Sequence, residues 1–182
     1  DRKARGFSAA DEAALELALS LGEALDRSVV ALSAGRDDAV AGLERSLAVG
    51  ADRAVLVLLD GLDPDSLSVA GALAWGMESA GLADPLVVCG DYSADRGSGT
   101  VPAALAALTG LPQALGLVSA VLAEPAADGV DGSSSPARIR VQRRLDGARR
   151  EELLVSPPAV VSVEGSVARL RFGPATHRQV KK

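Results

Sequence analysis

The chain has 182 residues and a formal net charge of −5; 48% of its residues are apolar, but only 2% are aromatic. That length suffices for one domain with a real core, while the acidic balance and the shortage of base-stacking side chains argue against nucleic-acid binding. No apolar run reaches the length of a membrane span, and a single cysteine with a single histidine leaves no structural zinc site. Ser8-Ala-Ala-Asp11 reads as a variant capping box, and the helix behind it sets Ala14, Leu17, Ala18 and Leu21 on one face. Val29 to Ser33 is an apolar strand, with Ala34-Gly35 as the turn after it, and Asp37 to Val49 is a helix closed by Gly50. Ala54 to Leu59 is the next strand, Ser66 to Ala80 a helix stopped by Gly81, and Leu86 to Cys89 a strand with the pattern of burial on both faces. Val101 to Thr109 is a helix ended by Gly110. Strands alternating with helices of this length predict βαβ crossovers and an α/β fold, a parallel sheet with flanking helices.

After Pro112 the rhythm changes. Ala114 to Leu122 is apolar and ambiguous between helix and strand, and residues 126–136 form a turn-rich loop. Ile139 to Arg143 and Glu152 to Val155, joined across Asp146-Gly147, predict an antiparallel hairpin, and Ala159 to Val163 supplies one more strand. Neither an internal repeat nor a second core is evident, so the expectation is one domain over residues 1–182. Its α/β core runs over 1–125, and a hairpin region with a C-terminal arm over 126–182.

Charge is divided along the chain. Residues 1–130 hold 8 Lys/Arg against 19 Asp/Glu, a balance of −11, and residues 131–182 hold 11 against 5, a balance of +6. The basic tail is either a solvated hairpin or a docking face for an acidic surface. Cys89 ends an apolar strand and has no second cysteine to pair with, which fits a reducing cytoplasm.

The segment with most chemical content is Gly90 to Val101. A strand leads into small and polar residues with Gly90, Gly97 and Gly99, and Pro102 then stands at a helix start. Such a turn gathers free backbone N–H groups around one point, the physical basis for holding a phosphate. The alternative reading is a surface βα loop that uses glycine only to turn. No Lys follows the glycines as in a Walker A loop, and the third Gly of a Rossmann fingerprint is missing. Catalytic groupings are absent: His177 stands alone in a polar tail, and Gly97-Ser98-Gly99 lacks the spacing of a nucleophile elbow.

Gly90-Asp-Tyr-Ser-Ala-Asp-Arg-Gly-Ser-Gly-Thr-Val101, ahead of an Ala/Leu-rich helix, resembles the adenosine-monophosphate loop of electron transfer flavoprotein beta subunits. Three further segments agree in order and spacing. Ala48-Val-Gly-Ala-Asp-Arg-Ala54 is similar to the family's A-M-G-A-D-R-A, Val141-Gln-Arg-Arg-Leu-Asp-Gly147 to its V-x-R-x-x-D-G hairpin, and Pro158-Ala-Val-Val161 to its P-A-V-V strand. The loop wording looks most like the actinobacterial branch associated with the mycofactocin redox system.

The resemblance implies an adenine nucleotide alpha-hydrolase-like fold and a non-enzymatic electron carrier. It implies AMP held in this subunit and FAD shared with an alpha subunit, with dehydrogenases as electron donors. Phosphate would rest on Ser98, Gly99, Thr100 and Val101, with Gly90 and Gly97 among the cofactor-binding residues and Asp95 keeping the family's acidic position there. Adenine and ribose would lie against Ser8, Ala9, Ala10 and Asp11, and against Ala34 and Gly35. Thr100 stands where most members carry Gln, and the apolar anchor of the dehydrogenase-recognition loop is not found after Phe172. The family also opens with a strand in the middle of its sheet, so this chain is expected to be a fragment lacking that strand and part of the C-terminal arm. Two readings compete with AMP in such a carrier: a second FAD on the same loop, and a stand-alone adenine-nucleotide protein of the universal-stress type. The latter's glycine loop is matched by Gly97 and Gly110 but not at Thr100.

Overall fold

A computed structural model describes residues 7–59, 63–93, 97–123 and 137–172. The elements in order are α1 (Ala9–Leu25), β1 (Val30–Gly35), α2 (Val40–Val49), β2 (Arg53–Leu58), α3 (Ser66–Ser79) and β3 (Leu86–Gly90). They continue as α4 (Val101–Thr109), β4 (Gln113–Leu122), β5 (Ile139–Arg144), β6 (Arg150–Val155) and β7 (Ala159–Val163). The helix expected from Asp37 begins instead as a 3₁₀ turn over Asp37–Ala39, with Arg36 ahead of it offering no side-chain cap, and becomes α-helical at Val40. The ambiguous stretch before the long loop is a strand, β4.

The ladders form two sheets. β1 and β2 pair in parallel, and a second sheet runs β3-β7-β4-β5-β6. β7 is parallel to both β3 and β4, and β4, β5 and β6 continue as an antiparallel meander. The last strand therefore returns to the middle of the sheet. Its five residues are all buried, as expected of a strand paired along both edges, and Ala-Val-Val-Ser-Val meets that demand with small and β-branched side chains. Gly116, with φ +67, lets β4 shift register between its two partners, and Ser162 Oγ takes the Gly116 N–H displaced there at 2.9 Å.

Two helical layers enclose the sheets. α1 lays Ala13, Ala14, Leu17 and Leu21 on Leu86, Val88, Val161 and Val163 and on the inner residues of β4 and β5, Leu117, Ile139 and Val141. α2 covers the same side of the first sheet, with Leu43 and Leu47 on Ala54 and Leu56. On the opposite side α3 and α4 share one cluster, in which Ala70, Met77 and Leu105 meet Leu32 of β1 and Val87 of β3. The helical layer thus runs on from one sheet to the other, while the ladder between β1 and β3 is interrupted. Every residue of β1 and of β3 is only half-buried, in contrast to β7.

Candidate functional site

The carboxyl ends of β1 and β3 and the start of α1 carry the residues singled out from sequence. At α1 the capping box is complete. The Asp11 N–H donates to Ser8 Oγ at 3.0 Å, and the Ser8 N–H donates to Asp11 Oδ2 at 2.9 Å. Ser8 Oγ also lies 2.8 Å from Asp11 Oδ2 and 3.0 Å from the carbonyl oxygen of Tyr92, which ties the helix start to the loop leaving β3.

Two glycines make that approach possible. A Cβ on Gly90 would stand 2.9 Å from the Ala10 carbonyl carbon and the Asp11 nitrogen, and one on Gly165 would stand 2.8 Å from Ala9 Cβ. Backbone rather than a flexible side chain is on the far side in both places, so the first turn of α1 is clamped between the ends of β3 and β7. Ala10 is fully buried in this clamp and Ser8 nearly so; Ala9 faces outward and Asp11 is half-buried.

Gly97, Ser98, Gly99 and Thr100 are exposed. Gly97 and Gly99 have φ +62 and +64, and Thr100 follows at φ −91, ψ −18. A left-handed residue followed by a right-handed one turns successive N–H groups toward a common point. The Gly97 N–H donates to Ser93 Oγ at 3.3 Å. No acceptor among the described residues takes the N–H of Ser98, Gly99 or Thr100. α4 then starts without a side-chain cap, in contrast to α1 with Ser8 and α3 with Asp65, and with Pro102 in its first turn. The hydroxyls of Ser98 and Thr100 are 3.1 Å apart, and Ser66 at the start of α3 places its hydroxyl 3.1 Å from that of Ser98. Ser66 was not legible as a site residue; only the crossover that returns α3 beside α4 brings it there. Ala34 and Gly35 end β1 half-buried, with the Gly35 carbonyl held by the Leu59 N–H at 2.9 Å. Asp95 and His177 lie outside the described residues.

Asp91, the first residue after β3, is the other group that sequence reading passed over. Its backbone N–H donates to the Val163 carbonyl at 3.0 Å, continuing the ladder, and its Oδ1 is buried without a hydrogen-bond partner. Burial, then the charges of Glu164 and Asp11, push its carboxyl above the usual carboxylate range. Cys89, two residues earlier, has its thiol pushed up to about 12 by burial and by Asp11. A protonated, enclosed thiol is no nucleophile, and no cluster of three or more potential metal-ligating side chains occurs among the described residues. The loop thus offers N–H groups that meet no acceptor among the described residues, beside the hydroxyls of Ser66, Ser98 and Thr100.

The family model of the electron transfer flavoprotein domain matches residues 1–181. The chain belongs to this family. Its members are flavin-associated electron carriers rather than enzymes. No match was found among curated proteins. The described α/β architecture, with a parallel sheet, flanking helices and a mixed sheet, agrees with the fold of the electron transfer flavoprotein domain, and no helix among the described residues is long and apolar enough to cross a membrane.

Proposed function

We propose that this electron transfer flavoprotein chain is of the beta type, working in the cytoplasm with an alpha subunit and carrying AMP as a structural nucleotide. The observation that carries the reading is the exposed turn from Gly97 to Val101. The N–H groups of Ser98, Gly99 and Thr100 meet no acceptor among the described residues, the helix behind them has no side-chain cap, and the turn follows the carboxyl end of a parallel strand. The helix dipole of α4 adds positive potential at the same point. The N–H groups of Ser98, Gly99 and Thr100 hold the phosphate, with the hydroxyls of Ser66, Ser98 and Thr100 as further donors. Val101 opens the helix, Gly90 and Gly97 shape the loop, and Asp95, outside the described residues, keeps the family's acidic position. Ser8, Ala9 and Asp11 with Ala34 and Gly35 border the nucleoside, while Ala10 acts from beneath by seating the helix.

FAD, shared with the alpha subunit, supplies the electron-accepting and electron-releasing chemistry when bound. This chain contributes a wall and the fixed surface against which the partner closes. Residues 1–182 act as one domain, the 1–125 core holding the nucleotide and the 126–182 hairpin and arm reaching the partner. The donors are dehydrogenases, and the wording of the loop supports the mycofactocin-associated branch. Co-expression with the adjacent alpha gene is expected to yield a yellow heterodimer, and mass analysis of the extracted nucleotides one FAD and one AMP. Colourless subunits that elute separately would overturn the carrier reading, and two flavins per heterodimer would overturn the AMP assignment.

A further inference from the structure

Asp91 is unexplained by phosphate binding, since a carboxylate repels an anion. Its Oδ1 is removed from solvent and accepts no hydrogen bond from the protein, and a buried acceptor calls for a donor. Its position is well fixed. Gly90 before it is pressed against the Ala10–Asp11 backbone, and a Cβ on Gly99 would sit 2.8 Å from the Asp91 carbonyl oxygen. The backbone of Asp91 therefore touches the loop that presents the unpaired N–H groups, and also the start of α1 through Tyr92 and Ser8.

Three kinds of group could answer a buried acceptor. An anion is excluded by the charges of Asp11, Asp91 and Glu164, which lie near one another. A metal ion would need a ligand set that the described residues do not assemble. A neutral donor remains, a water in the free protein or a hydroxyl of a bound ligand. In a nucleotide whose phosphate rests on residues 98–101, the group one ester link away is the sugar, whereas the base lies farther off.

We propose that Asp91 accepts a hydrogen bond from one ribose hydroxyl of the bound nucleotide and so makes the site selective for ribonucleotides. The inference rests on the phosphate-loop reading above and adds to it a specificity residue. In the free protein Oδ1 is turned away from solvent; in the complex the carboxyl turns toward the ligand and the hydroxyl supplies the donor.

The test measures affinity of the purified, nucleotide-stripped chain for AMP, 2′-deoxy-AMP and 3′-deoxy-AMP by calorimetry. For the wild type, loss of one of the two hydroxyls is expected to weaken binding by about tenfold to a hundredfold, the range of a hydrogen bond to a charged group. In Asp91→Ala, AMP should bind as weakly as that deoxy analogue, and the discrimination should vanish. Asp91→Asn, which keeps the shape and one acceptor oxygen, should recover part of it, and circular dichroism of both variants shows that the fold is retained. Equal affinity of the wild type for all three nucleotides, or full discrimination surviving in Asp91→Ala, overturns the proposal. In that case AMP binding that is still lost in Gly99→Ala leaves the phosphate loop standing. Absence of AMP binding altogether overturns both.

Discussion

Gly99 is where backbone conformation and ligand binding can be separated by substitution. At φ +64 an L-residue costs about 1–2 kcal/mol. A Cβ there would also lie 2.8 Å from the Asp91 carbonyl oxygen, a backbone atom that cannot rotate away. Relief requires the loop to move off the end of β3 and take its N–H groups with it. Gly99→Ala is thus expected to destabilise the chain by about 1–3 kcal/mol and to weaken AMP binding at least tenfold. Two reference variants divide the effect. Gly81 has φ +67 but nothing within 4 Å of the point where a Cβ would stand, so Gly81→Ala meets the conformational cost alone. Gly71, inside α3 with open space beside it and no positive φ, should gain about 0.5–1 kcal/mol on substitution by Ala. Urea melts should rank the proteins Gly71→Ala, wild type, Gly81→Ala, Gly99→Ala from most to least stable, and calorimetry should show lost AMP affinity only in the last. Identical melting and binding for the Gly81 and Gly99 variants would refute the reasoning, because the close approach to Asp91 would then count for nothing.

Asp91→Asn should stabilise the nucleotide-free chain at pH 7 while weakening AMP binding. A carboxyl held above its ordinary value of 3.8 contributes favourably below that pH and loses the contribution as pH rises through its folded value. A lower urea midpoint for the variant at pH 7 would contradict this. Arg171 binds Glu16 with two nitrogens at 2.8–3.0 Å and also reaches Glu23. Burial acts to raise the Glu16 carboxyl, but the hydrogen bonds and charge of Arg171 outweigh it and leave the group below its ordinary 4.5. That stability is present above pH 4.5 and is lost as pH falls through the lower folded value, so Arg171→Ala should cost about 1–2 kcal/mol at pH 7 and flatten the acid limb of a stability profile. An unchanged acid limb would show that the pair is solvated. Cys89, with its thiol near 12, should resist alkylation by iodoacetamide at pH 8 in the folded chain and react promptly in urea; rapid labelling of the native chain would show that β3 opens.

Much of this molecule is legible in the sequence because local chemistry decides it. Ser8 and Asp11 form the capping box that their spacing predicts, Gly50 and Gly110 end their helices, and Asp146-Gly147 turns the hairpin between β5 and β6. The loop from Gly97 to Val101 takes the glycine-dependent shape its composition implies. What escapes is decided by pairing between distant segments. Nothing local says that Ala159–Val163 inserts between β3 and β4, or that Gln113–Leu122 is a strand rather than a helix. Ser66 joins the site only through a crossover. Asp91 looks in sequence like one more polar loop residue, and its interest comes from an enclosure created by α1 and Glu164. Gly165 did carry a signal, a glycine two residues past the end of a strand, since that is where another backbone tends to come close.

The interrupted ladder has a consequence for how the two sheets breathe. In a parallel strand, alternate residues turn their amides to opposite neighbours, so β3 has one set engaged with β7 and another that meets no ladder partner among the described residues. Deuterium uptake along Leu86–Gly90 should therefore alternate, slow and fast, while Ala159–Val163 is slow throughout. Open strand edges ordinarily invite sideways stacking of molecules. Here α3 and α4 pack on Leu32 and Val87 from one side, and α1 and α2 on Val88 and Ala31 from the other, so helices flank the free edge of β3.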